Sequence, residues 1–109
     1  MKVSFISMSE ELSGISSRIL SSYVRSLGHE YKIVFLPTQT AFKSYSKTTL
    51  EQVVEVLPES DIVGVSVITP LFFLAVQLSE FIRKRTDAKI IWGGINPTVR
   101  PIECLKHAD

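Results

Sequence analysis

The run Ile62-Val63-Gly64-Val65-Ser66-Val67-Ile68 constrains the fold more than any other segment of the chain. It is apolar almost throughout and rich in β-branched side chains, which favour a pleated strand. It is far shorter than the ~20 residues of a membrane span. A strand with one wet face alternates apolar and polar residues. A strand covered on both faces by helices reads as a continuous apolar run, and this is the mark of a parallel sheet.

The flanking sequence supplies the helices that such a strand needs. Val3, Phe5 and Ile6 form a short first strand. Ile15, Ile19, Tyr23 and Leu27, with Leu20 and Val24 beside them, recur at helical spacing and mark one face of a helix. Ser13 is positioned as its N-cap and Gly28 as its left-handed C-cap. Tyr31 to Leu36 is a second strand, ended by Pro37. Thr38 to Lys47 is polar and aperiodic, a loop. Leu50, Val53, Val54 and Leu57 give a second helix, capped by Thr48 or Thr49 and stopped by Pro58. After the apolar strand, Thr69-Pro70 opens a third helix with Leu74, Leu78, Phe81 and Ile82 inward. Arg83, Lys84 and Arg85 suit its last turn, where the helix dipole favours cations. Lys89 to Trp92 is a fourth strand ending at Gly93-Gly94, and Pro101 begins another short helix.

The order βαβαβαβ implies a doubly wound α/β fold with a parallel sheet, right-handed crossovers and three αβα layers, of the Rossmann-like or flavodoxin-like kind. A length of 109 residues suits a single domain spanning 1–109. A fifth strand would fall after Asp109, so the chain reads as a fragment of a larger protein, stopping before the last strand. The net charge of +1, with acids and bases interspersed, lacks the concentrated basic face of a nucleic-acid binder. A lone cysteine, Cys104, forms no internal disulfide, and no signal peptide or membrane span is evident. A cytoplasmic location is the expectation.

Open parallel sheets bind ligands beyond the carboxyl ends of their strands. Four segments meet that edge: Ser7 to Gly14, Pro37 to Thr40, Ser66 to Pro70, and Gly93 to Pro101. They are neutral and polar, with Glu10, Glu11 and Arg100 the charged exceptions. Gly93-Gly94 either makes a tight turn or bares the backbone to a large flat ligand. Ser66 and Thr69 either cap the following helix or hydrogen-bond a ligand. Asn96-Pro97-Thr98 reads as a turn.

Other chemistries lack their residues. There is no G-x-G-x-x-G after the first strand and no P-loop. Asp61 stands at the start of the third strand, the wrong edge for a receiver-type phosphoacceptor. His29 lies away from the ligand edge and is expected to be solvated. Cys104 and His107 are too few to make a metal site, and are expected as a buried thiol and an exposed imidazole. No nucleophile, base and acid can be grouped, so a free-standing enzyme is not expected.

One family fits these features. Ile90 to Pro101, with its Trp-Gly-Gly-Ile-Asn-Pro-Thr core, continued by Glu103 to Asp109, resembles the end of the N-terminal cobalamin-binding domain of B12-dependent radical SAM proteins. In that family a strand ends in Gly-Gly and is followed by a His-Pro-Thr-type turn, a Pro-Glu-rich short helix and Ala-Asp. Asp61 to Pro70 is similar to the family's third strand. Leu12 to Ile15 and Leu27 to Glu30 are similar to its first helix and the turn after it. The resemblance implies a cobalamin site with Ser66, Thr69, Pro70, Gly93, Gly94, Asn96, Pro97 and Thr98 along the nucleotide tail. Ser9, Ser13 and Gly14 would approach the corrin ring or its lower face. It also implies a following radical SAM domain as partner, carrying a 4Fe–4S cluster and S-adenosylmethionine, with methyl transfer a common outcome.

The chain departs from related patterns at two points. The Asp-x-His-x-x-Gly motif that ligates cobalt in methionine-synthase-like domains is absent, and Asn96 stands where His is frequent. These departures keep two alternatives open. One is the same fold with cobalamin binding lost, acting as a docking or substrate-gating domain. The other is a flavodoxin-like binder of FMN or phosphate, using the serines Ser7, Ser9, Ser13, Ser16 and Ser17.

Overall fold

A computed structural model describes residues 1–8, 15–37, 43–57 and 59–109. Strands β1 (Lys2–Ser7), β2 (Glu30–Phe35), β3 (Ile62–Ser66) and β4 (Lys89–Gly93) form one parallel sheet in the order β2-β1-β3-β4. Helices α1 (Ile15–Ser26), α2 (Lys47–Glu55) and α3 (Phe72–Arg83) make the crossovers. The expected three-layer α/β fold is thus the observed one. β3 holds the centre between β1 and β4, the position its apolar sequence demands.

The two faces of the sheet differ in how they are covered. On one face, Ile6, Val63, Val65, Val67, Ile90 and Trp92 pack against Leu50 and Val53 of α2 and Leu74, Leu78 and Ile82 of α3. Full burial of each such aliphatic side chain contributes about 1.5–3 kcal/mol. Trp92 keeps its polar atom satisfied in this core by donating its indole N–H to Ser79 Oγ at 2.9 Å. Ser46, rather than Thr48 or Thr49, caps α2: its Oγ accepts the Thr49 N–H at 3.2 Å.

On the other face α1 lies over β1 and β2, with its apolar stripe turned outward. Ile15, Ile19, Tyr23 and Leu27 are exposed, and Ser17 and Ser21 are the buried residues of the helix. Helical spacing identifies an apolar face without saying which way it turns. Small serines let the helix come close to the sheet, and Ser21 satisfies its own hydroxyl by donating to Arg18 O at 2.8 Å. The expected cap Ser13 lies outside the described residues. Gly28 has the expected left-handed φ of 87° after the helix.

Two short helices follow β4: α4 (Ile95–Val99) and α5 (Pro101–Cys104). Asn96-Pro97-Thr98, read from sequence as a turn, is therefore helical. Gly94 reverses the chain, and the Thr98 hydroxyl then donates to Gly94 O at 2.8 Å and closes the helical turn. Cys104 is buried as expected. His107 is half-buried, its ring stacked on Trp92 at 5.8 Å and 16°. At the outer edge of β4, Asp109 N–H donates to Ile90 O, and Ile90 N–H donates to the Asp109 carboxylate at 2.9 Å. That backbone bond, with Arg83 beside it, holds the Asp109 carboxyl below its ordinary pKa.

Tyr45, just before α2, is 4% exposed, and its hydroxyl has no partner among the described residues. Gln77 of α3 fixes its backbone from both sides, accepting from Tyr45 N–H and donating to Tyr45 O. Burial pushes the phenol up to about 12. The folded state therefore favours the neutral phenol. The stability this confers is present below the ordinary value of 10.0 and is lost as pH rises from there toward 12. Tyr45→Phe removes an unsatisfied buried hydroxyl and is expected to stabilise the protein by about 1 kcal/mol in denaturant titrations. It should also remove a phenolate step near pH 12 from an ultraviolet pH titration. A loss of stability in this variant would show that the hydroxyl has a partner.

Candidate functional site

The uneven cover of the sheet leaves a trough of about 430 Å³ between α1 and the exposed half of the sheet face. This volume lies within the ~300–1,000 Å³ of small-molecule sites. Strand register arranges its walls in levels. At the carboxyl edge, Ser66 pairs with Gly93, with Gly94 next and Ser16 and Ser17 across on α1. One level down, Phe5, Gly64 and Ile91 stand side by side on β1, β3 and β4, facing Leu20. Below them are Val3, Ile62 and Val24, and the far end reaches Met1 and His29.

The levels differ in chemistry. The mouth offers hydroxyls and bare backbone. Ser66 is half-buried, and its Oγ has no hydrogen-bond partner among the described residues. The two lower levels are apolar. Strand backbone N–H and C=O groups there are committed to the parallel ladders. Gly64 keeps the floor flat: a Cβ at this position would come within 3.1 Å of the Phe5 ring. His29, expected to be solvated, is half-buried, with its Nδ1 3.4 Å from the Met1 amino group.

The two adjacent glycines have different reasons. Gly94 has a φ of 108°, and a Cβ there would lie 2.9 Å from Val67 O. This glycine makes the turn that brings Asn96 N–H to Val67 O. Gly93 has no positive φ, and a Cβ on it would meet nothing within 4 Å. Gly93 lines the trough, so its missing side chain leaves space at the mouth.

Of the residues selected from sequence, Ser66, Gly93 and Gly94 are brought together at the trough. Thr69 and Asn96 are brought to each other instead. Asn96 is 1% exposed, donates its amide to Thr69 Oγ1 at 3.3 Å and accepts from the Cys104 thiol at 3.0 Å. This chain ties α4 and α5 to the turn at Thr69–Leu71, with the Asn96 nitrogen and oxygen each engaged within the protein. Burial, then the Glu103 charge, pushes the Cys104 thiol up, as suits an inert donor. Pro70 belongs to that turn, Pro97 is half-buried in α4, and Thr98 bonds back to Gly94. Ser9, Ser13 and Gly14 lie outside the described residues.

Sequence reading missed Phe5, Gly64, Leu20 and Ile91 as wall residues. The available signal was parity: residues two before Ser66 and Gly93 share their face of the sheet. Among the described residues there is no cluster of three or more His, Cys, Asp or Glu that could hold a metal ion, and no helix long and apolar enough to cross a membrane. No protein-family model and no curated protein matches the chain.

The glycine pair gives a direct test. Gly94→Ala should cost about 1–3 kcal/mol, because it forces a side chain into left-handed backbone against Val67 O. Gly93→Ala should change stability by no more than about 0.5 kcal/mol. Equal losses in chemical denaturation would contradict this division of roles.

Proposed function

We propose that this chain is a cobalamin-binding module of a B12-dependent radical SAM enzyme, a binding unit without catalytic activity of its own. The observation that carries the reading is the trough beneath Ser66 and Gly93. It opens at the carboxyl edge of a parallel sheet, where such sheets take ligands. Its mouth is polar and uncrowded, and its depth is apolar. A cobalamin nucleotide tail has the same order, a sugar and phosphate followed by a flat, largely apolar base.

The residues present fit that tail. A Cβ on Gly93 would meet nothing within 4 Å, so a ligand has open space to approach the strand there. In this reading, Ser66, Ser16 and Ser17 hydrogen-bond the sugar–phosphate portion. Gly93 admits it close to the strand, and Phe5, Gly64, Leu20 and Ile91 enclose the base. When bound, the corrinoid supplies a cobalt centre able to carry a methyl group. The described residues at the mouth supply no histidine for its lower face. The chain's own part would be to hold the tail and exclude water from the base. Radical chemistry, with its 4Fe–4S cluster and S-adenosylmethionine, belongs in this reading to a partner domain of the same protein, in the cytoplasm.

A second reading is favoured by a specific observation. Leu20 and Ile91 are about half exposed, at 52% and 50%. A further protein element lying on them would make the trough a packing face, and the domain a docking or gating unit without a corrinoid.

Gel filtration of the protein mixed with hydroxocobalamin separates the two. Cobalamin binding predicts co-elution of the visible absorbance with the protein. It also predicts loss of co-elution in Gly93→Leu, whose side chain enters the trough while the melting temperature is retained. No retained corrinoid on well-folded wild-type protein would favour the docking reading.

A further inference from the structure

We infer that the trough selects among corrinoids by their lower base, accepting a benzimidazole and disfavouring a purine. This inference rests on the corrinoid reading above and adds a specificity to it. The two lower levels of the trough, where the base would lie, are walled by Val3, Phe5, Leu20, Ile62, Gly64 and Ile91. None of these side chains donates or accepts a hydrogen bond. The neighbouring strand backbone is committed within the sheet, with Phe5 paired to Gly64 and Gly64 to Ile91. The nearest titratable groups, His29 and the Met1 amino group, lie at the far end and contact each other.

An adenine base brings an exocyclic amine and ring nitrogens that are hydrogen-bonded in water. Placed among these side chains they would lose those bonds and gain none, a cost that an apolar wall cannot offset. A dimethylbenzimidazole strands a single ring nitrogen, against the amine and three ring nitrogens of adenine, and its C–H and methyl edges gain from burial in proportion to area. The flat level made by Gly64 and the Phe5 ring suits a planar bicyclic base, because any side chain at Gly64 would meet that ring. The sugar and phosphate are common to both nucleotides and meet the same serines at the mouth. Selection therefore falls on the base alone.

The test measures equilibrium binding of three probes to the intact chain by visible absorbance: hydroxocobalamin, the cobamide carrying adenine as lower base, and cobinamide, which lacks the nucleotide. Hydroxocobalamin should bind at least about tenfold more tightly than the adenine cobamide, the scale of discrimination that one stranded polar group produces. Cobinamide should be weaker than hydroxocobalamin. Ile91→Gln, at a half-exposed site that tolerates a polar side chain, should narrow the gap between the two cobamides without unfolding the protein. Equal affinity for the two cobamides, with cobinamide weaker, would overturn base selection and leave corrinoid binding standing. Equal affinity for all three would show that the nucleotide does not enter the trough, which also overturns the inference. Binding of none would overturn the corrinoid reading itself.

Discussion

A strand that is apolar along its length must be covered on both faces, and β3 meets that requirement unequally. Its Val63, Val65 and Val67 side chains are sealed by α2 and α3. Its Ile62, Gly64 and Ser66 side face α1 across open space. The candidate site exists because of that asymmetry. The sealed face makes a rigid platform. The open face presents strand ends, small residues and an apolar floor in one place, without any rearrangement of the core.

The carboxyl edge is held together by short-range devices that serve the turn. Gly94 adopts a backbone that other residues resist. Val67 donates to Gly93 O at 2.8 Å and accepts from Asn96 N–H. Asn96 then links Thr69 and Cys104. These groups fix where β4 stops and α4 begins, and so leave Gly93 open beside Ser66. The edge therefore divides into residues that set the geometry and residues that present it, although both kinds sit in one short stretch of sequence.

The fold was legible in the sequence because alternation of strands and helices is a local signal, repeated along the chain. The direction of α1 was not legible. Ile15, Ile19, Tyr23 and Leu27 announce an apolar stripe, but whether a stripe meets the sheet or the outside depends on how closely the helix can approach. Ser17 and Ser21 decide that. The cap of α2 was obscured because Ser44, Ser46, Thr48 and Thr49 all offer capping oxygens, and only backbone geometry selects Ser46. At the site, Ser66 and the glycines were visible as small residues at strand ends. Phe5, Gly64 and Ile91 were not, because their adjacency is a matter of register between strands far apart in sequence. Asn96 looked free of partners because Thr69 and Cys104 lie 27 residues before it and 8 after it.

The central claim is that the trough between α1 and the sheet receives the nucleotide tail of a corrinoid. The most direct measurement is a map of backbone amide chemical shifts as hydroxocobalamin is added to isotope-labelled protein. The account predicts shifts at Ser17, Leu20, Gly64, Ser66, Ile91 and Gly93, with the amides of α2 and the buried half of α3 unmoved. An unchanged spectrum, or shifts confined to surfaces away from this trough, would contradict it.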